Sequence, residues 1–286
     1  MSTDFPVFTK TFHSSVYPSL DLTNSTLSAK GKVVLVTGGA RGIGKAIATA
    51  FALAGARAVV ILGRAADTLQ ATEKEIVSNI QTVSSATVVR TFPTDIRDAE
   101  AVSRVFKTVC DEFKAIEIVV NNAAALHLGT LEASNVDDYW KSFETNVKGT
   151  LNVMQAFAQF GLDRNAATPT TFINVTSVGL IMPIYPTWSN YVATKLAAFS
   201  MTEFFAAEMG SKIRTFSFHP GRVETDMAKD NELPGAFCVW LAVTREADFL
   251  QNRLVAANWD VDELLQMRKE IEEKGLLKLK FEGLAM

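Results

Sequence analysis

Residues 189 to 195 read SNYVATK, which sets Tyr191 four positions before Lys195. On a helix, positions i and i+4 share a face, so a phenol and an ammonium become neighbours. A free tyrosine titrates at about pH 10. A nearby cation favours the phenolate and draws the group toward the range used in general acid–base catalysis. The spacing also arises by chance in a chain with 4 tyrosines, so the pair gains meaning only from the setting that the other residues provide.

A second stretch with chemical content is TGGARGIG, Thr37 to Gly44, which follows the run VVLV and precedes the helical KAIATAFALAG. Gly38, Gly42 and Gly44 permit a tight turn, close backbone approach to a pyrophosphate and tight helix–strand packing, with the helix N-terminus facing the anion. At a first strand-to-helix junction this pattern reads as dinucleotide binding, although its glycine spacing differs from G-x-G-x-x-G.

The elements that must carry these residues follow from the patterning. Of 286 residues, 48% are hydrophobic, ample for a substantial core. A net charge of −3 gives no basic footprint for nucleic acid or an anionic membrane. The 2 cysteines, Cys110 and Cys238, have neither disulfide-framework nor metal-ligand spacing, which fits a reducing, cytoplasmic setting. The 3 histidines, His13, His127 and His219, form no metal constellation. The first thirty residues lack a signal-peptide pattern, and the apolar stretch from Ala46 to Leu62 is interrupted by Gly55 and Arg57.

Short β-branched runs alternate with longer helical segments, the signature of βαβ units on a parallel sheet. Strands are expected at VVLVTG from Val33, AVVIL at 58–62, TVVRTF at 87–92 and IEIVVN at 116–121. TFINVTS at 171–177, IRTFSFHP at 213–220 and RLVAANW at 253–259 complete seven. Helical periodicity marks Asp98 to Phe113, Val136 to Phe160, Asn190 to Met209 and a charged segment around Asp262 to Lys274. The expected architecture is α/β: one doubly wound domain whose seven-stranded parallel sheet is flanked by helices. Residues 1–30 are an N-terminal extension, 31–260 the domain and 261–286 its C-terminal helical extension. Right-handed crossovers place the C-terminal strand ends on one edge, where such sheets bind ligands.

Taken together, the motifs resemble the short-chain dehydrogenase/reductase family. TGxxxGxG is matched by Thr37 to Gly44, NNAG nearly by NNAA at 121–124, and the family's helix asparagine by Asn146 in ETNVKGT. Its serine is matched by Ser177 in NVTSVG, its YxxxK by Tyr191 and Lys195, and its PGxVxT by PGRVET at 220–225. The resemblance runs in order from about Lys30 to Asp260 and implies a Rossmann-type fold. Ala124 replaces the usual glycine and Thr176 the first of two common serines. The glycine-rich segment after the last strand is replaced by NWDVDEL.

The resemblance implies a catalytic set of Asn146, Ser177, Tyr191 and Lys195. Lys195 would bond the nicotinamide ribose and lower the Tyr191 pKa, Ser177 would bond the substrate oxygen, and Asn146 would support a water leading to Lys195. Cofactor-binding positions carried over are Thr37, Gly38, Arg41, Gly42, Ile43, Gly44, Asp95 and Ile96. Asn122, Ala123, Tyr191, Lys195, Pro220, Gly221, Val223 and Thr225 complete that set. The second strand ends at Gly63, without the acid that NAD binders place there, and Arg64 follows. With Arg41 it forms a candidate clamp for a 2′-phosphate, so NADP(H) is the expected cofactor.

The substrate end is apolar. His127, Met182, Tyr185, Trp188 and Phe237 are candidate pocket residues in segments that also contain Ile184 and Trp240. The N-terminal FTKTFHSSVYPSL and the late AFCVWLAVTREADFL resemble fungal members of the family, many from secondary metabolism. A ketone or secondary alcohol on a hydrophobic, polyketide- or terpenoid-like molecule is therefore the expected substrate, with reduction the expected direction. A non-redox isomerase, lyase or cyclase on the same fold, or a nucleotide sensor, are the competing readings. Homodimers or homotetramers are the assemblies the resemblance implies.

Overall fold

The computed structural model describes residues 6–81, 86–162, 168–221 and 232–280. Its strands are β1 (Val33–Thr37), β2 (Ala58–Gly63), β3 (Val88–Pro93), β4 (Ile118–Asn121), β5 (Thr170–Val175), β6 (Ile213–His219) and β7 (Leu254–Ala256). They form one sheet of 7 strands in the order β3-β2-β1-β4-β5-β6-β7, with every pair parallel. The order reverses between β1 and β4, and that reversal opens a crevice beyond the C-terminal strand ends.

Around the sheet lie α1 (Gly42–Leu53), α2 (Ala66–Ile80), α3 (Ala99–Phe113), α4 (Val136–Phe143), α5 (Gly149–Ala156), α6 (Ser189–Met209) and α7 (Glu232–Val243). Because successive strand side chains point to opposite faces, the β-branched runs feed two cores at once. Val34, Val36, Val59 and Ile61 pack with Ile47 and Phe51 of α1 and Val239 of α7. Val33, Leu35, Val60 and Leu62 pack with Val102 and Phe106 of α3 and Val153 of α5. No described helix is long and apolar enough to cross a membrane.

All seven expected strands form. The single helix expected from Val136 to Phe160 does not stay uniform, because π-helical turns at Glu144–Lys148 and Phe157–Gly161 interrupt it. A one-residue widening leaves the apolar periodicity almost unchanged, so the sequence pattern does not register it. The expected helix around Asp262 to Lys274 is two short ones, α8 (Val261–Gln266) and α9 (Arg268–Glu273), meeting at Met267. The N-terminal residues are integral to the packing: Leu20, Leu27 and Ala29 are buried in the core beside α1 and α7.

One buried cation ties the late elements to the sheet. Arg214 on β6, 2% exposed, donates to Asp248 Oδ1 at 2.6 Å, Ala242 O at 2.7 Å, Thr244 O at 2.9 Å and Thr171 Oγ1 at 3.2 Å. Removing the anion leaves the guanidinium uncompensated, so Asp248→Ala is expected to destabilise the fold by about 1–3 kcal/mol, below the fully buried case because Asp248 is partly exposed. The urea unfolding midpoint reads this out; an unchanged midpoint would show that the carbonyls alone satisfy Arg214.

Candidate active site

The loop from β1 into α1 passes under the end of β4. Asn122 Nδ2 donates to Thr37 O at 2.9 Å and Gly38 O at 3.2 Å, while the Thr37 hydroxyl accepts from Asn122 N and Ala123 N, each at 3.0 Å. Gly44 sits so close to the Gly38 carbonyl and to Asn122 Nδ2, the latter 2.5 Å from a Cβ built there, that no side chain fits. The result is a cradle of bare backbone at the N-terminus of α1, a fit for a pyrophosphate. Ala124 takes an ordinary negative φ, so alanine is tolerated where the family pattern has glycine.

A chain of polar contacts runs from this loop to the Tyr191 helix. Asn121 Nδ2 donates to Thr150 Oγ1 at 2.9 Å and Asn174 Oδ1 at 3.1 Å, and Thr150 Oγ1 donates to Asn146 O at 2.7 Å. Asn146, in the π-helical turn, accepts from Ala125 N at 2.7 Å and donates to Ala125 O at 2.8 Å and Thr194 Oγ1 at 2.9 Å. Both amide protons of Asn146 are thereby committed to positioning. Thr150, Thr194, Asn121 and Asn174 lie within the quoted motifs, but the motif reading gave them no role. Their signal was present, as polar residues inside otherwise apolar strand and helix runs.

Ser177 follows β5 and caps the turn Val178–Leu180, its Oγ accepting from Gly179 N at 3.1 Å. It also hydrogen-bonds Tyr191, placing hydroxyl and phenol together. Lys195 is 5% exposed, donates to Val175 O at 2.8 Å and lies 5.7 Å from the Tyr191 ring centre. The electrostatics differ from the sequence expectation. Burial raises the Tyr191 pKa, and the Ser177 bond only partly opposes this. Burial likewise pushes the Lys195 ammonium down, to about 8, so the phenol's environment is set first by desolvation rather than by the lysine charge. The phenol is protonated, the state of a proton donor.

The remaining positions fall into three groups. Arg41 and Arg64 are exposed at the same edge as the cradle, and Arg64 helps hold the Asp95 carboxylate below its usual range after the dominant Arg97 bond. Asp95 is paired with Arg97 at 2.6 Å, and Asp98 caps α3. Gly42 and Ile43 open α1, while Ile96, Pro220 and Gly221 are buried near the same edge, with Ile96 O accepting from Asn152 at 2.8 Å. Val223 and Thr225 lie outside the described residues.

At the substrate side, Trp188 meets the Tyr191 ring edge-on at 5.9 Å, and Tyr185, Ile184 and Trp188 are exposed while Met182 is half-buried. His127 packs edge-on against Tyr139 at 6.2 Å, its Nε2 buried without a hydrogen-bond partner among the described residues. Phe237 does not join them. It is wholly buried on α7 between Phe218, at 5.5 Å, and Trp240, at 5.4 Å, and has no surface to offer a ligand. An apolar aromatic near a pocket segment and one in a core look alike in sequence. Among the described residues no group of histidines, cysteines or carboxylates has metal-binding proximity.

A folded-state pKa of about 8 for Lys195 means that, from pH 8 upward, the unfolded chain binds more protons at this lysine than the folded one until the unfolded lysine itself titrates. Stability due to Lys195 therefore rises with pH across that window and is lowest below it. The stability difference between wild type and Lys195→Met should favour wild type increasingly as pH rises from about 8 to 10, by at most ~1.4 kcal/mol per pH unit. Denaturant melts at several pH values check it; a constant difference would contradict the buried, depressed lysine.

A family model described as short chain dehydrogenase matches residues 32–234. A short chain dehydrogenase/reductase of Claviceps purpurea (strain 20.1) is 34% identical over 280 residues, covering 92% of this chain and 90% of that protein. Short chain dehydrogenase pigC of Monascus ruber is 30% identical over 296 residues, covering 96% and 93%. Among solved structures, a short chain dehydrogenase from Burkholderia cenocepacia J2315 in complex with NADP aligns with TM-score 0.70 and 25% identity over 80% of this chain and 96% of that one.

Proposed function

The chain belongs to the short-chain dehydrogenase/reductase family, and we propose that it is an NADP(H)-dependent enzyme that reduces a ketone on a hydrophobic small molecule to a secondary alcohol. The observation that carries this reading is the meeting of Ser177, just after β5, with Tyr191 and Lys195 on α6, beside the bare backbone cradle of the β1–α1 loop. Thr37, Gly38 and Gly44 would hold the cofactor, which when bound would supply a hydride. The protein's part is proton transfer. Ser177 orients the carbonyl oxygen by hydrogen bonding, and Tyr191 donates its phenolic proton to that oxygen as negative charge develops. Lys195, when protonated, stabilises the resulting phenolate. Asn146 keeps the helix that carries both in place through Thr194.

NADP(H) over NAD(H) rests on Gly63 and the two arginines. β2 ends in a glycine packed against Ala40 and Leu69, without an acidic side chain, and exposed Arg64 and Arg41 are available to a phosphate. The apolar, exposed loop at 181–188 beside Tyr191 supports a hydrophobic, polyketide- or terpenoid-like substrate. Val136 and Trp140 on α4 and Leu196 and Phe204 on α6 are exposed large apolar side chains, which supports subunit pairing through these helices.

Tyr191→Phe is expected to lower turnover roughly 10²- to 10⁴-fold while NADPH binding, followed by nicotinamide fluorescence, holds. Wild-type turnover in that variant would remove Tyr191 from the chemistry. Arg41→Ala and Arg64→Ala should each weaken NADPH about 10- to 100-fold and leave NADH untouched; equal effects on both cofactors would overturn the phosphate clamp. Phe204→Glu should shift the protein to monomers on light scattering, and an unshifted mass would place the subunit contact elsewhere.

A further inference from the structure

The stretch from Pro6 to Tyr17 is fastened to residues 258–263, at the far end of the chain. Phe12 and Trp259 form an antiparallel bridge, His13 N donates to Asn258 O at 2.8 Å, and the Trp259 indole donates to Pro6 O at 3.1 Å. Glu263 accepts from Lys10 N at 2.6 Å, Thr11 N at 3.0 Å and Thr11 Oγ1 at 2.6 Å. These contacts lie outside the catalytic set, yet they end on a residue that reaches the ligand edge.

That residue is Asn258, 6% exposed. Its Nδ2 donates to His13 O at 2.7 Å. A backbone carbonyl can only accept, so this bond fixes the orientation of the amide and turns Oδ1 away from the N-terminal strap. Oδ1 has no hydrogen-bond partner among the described residues and lies against Gly221: a Cβ built on Gly221 would stand 2.5 Å from it. Gly221 has φ +91, so the turn needs glycine for its backbone as well as for the contact. Pro220 and Gly221 follow β6, the neighbour of β5, whose end carries Ser177. The candidate phosphate clamp at Arg64 follows β2, across the reversal between β1 and β4.

We infer that the N-terminal strap acts on the cofactor site through Asn258, a positioning residue that sets the Pro220–Gly221 turn at the reacting end of the dinucleotide. This rests on the dinucleotide reading above. Without the His13 carbonyl the amide is free to flip and present its NH₂ to Gly221, and the turn relaxes; the adenosine end, on the other half of the sheet, is unaffected.

Asn258→Asp keeps the shape but cannot donate to His13 O. It should weaken NADPH about tenfold while 2′,5′-ADP, which fills only the adenosine half, binds within about twofold of wild type, and kcat at saturating NADPH changes little. Glu263→Ala loosens the strap without touching Asn258 and should produce the same split, so it carries the test if the first variant does not fold. A lowered Tm with unchanged NADPH affinity, or equal loss of both ligands, would make Asn258 merely structural and overturn the inference. Wild-type protein that binds neither ligand would overturn the dinucleotide reading and this inference with it.

Discussion

The two amide ends of Asn146 bind the loop after β4 and the helix α6 to one another, and the rest of the active edge hangs from that clasp. Oδ1 and Nδ2 grip both backbone groups of Ala125, and Nδ2 also reaches Thr194, one residue before Lys195. The backbone carbonyl of the same residue receives Thr150, which in turn receives Asn121 at the end of β4. The π-helical turn at Glu144–Lys148 sits where the helix must offer these groups sideways, a feature often found at functional sites. Loss of the clasp would free three segments at once, since each buried polar group in it depends on the next.

The sheet explains why such a clasp is needed. Strands β1, β2 and β4 are apolar up to their ends, and at the C-terminal edge Thr37, Asn121 and Asn174 satisfy one another and the loops above them. Lys195 is the exception that matters most. Its ammonium is buried against the Val175 carbonyl beside the half-buried Tyr191 phenol, and burial works against charge on both. The site is thus built to hold a proton on Tyr191 and to make the Lys195 charge sensitive to what binds nearby. A protonated phenol is consistent with the donor role proposed for Tyr191.

Much of this was legible in the sequence because it is written in local pattern. Strand runs, the glycine loop, and the spacing of Tyr191 and Lys195 depend on neighbours within a few residues, and the order of the motifs placed them on one edge. What was hidden depends on distance. The clasp of Asn258 to His13 spans 245 positions and leaves no periodic trace. Phe237 misled because burial, not residue type, separates a pocket aromatic from a core one. The sign of the Tyr191 shift was hidden for the same reason: the lysine is visible in sequence, whereas the desolvation that outweighs it belongs to the packed fold.

The central claim is that Tyr191 delivers a proton while a hydride arrives from a nicotinamide at the C-terminal edge of the sheet. It is tested most directly with NADPH deuterated at the transferable position of C4 and a ketone that the enzyme turns over, by mass spectrometry of the product. The account predicts an alcohol carrying one deuterium at the former carbonyl carbon, with stoichiometric oxidation of the cofactor. Product formed without label and without cofactor oxidation would contradict it and identify the site as acid–base machinery of a non-redox enzyme.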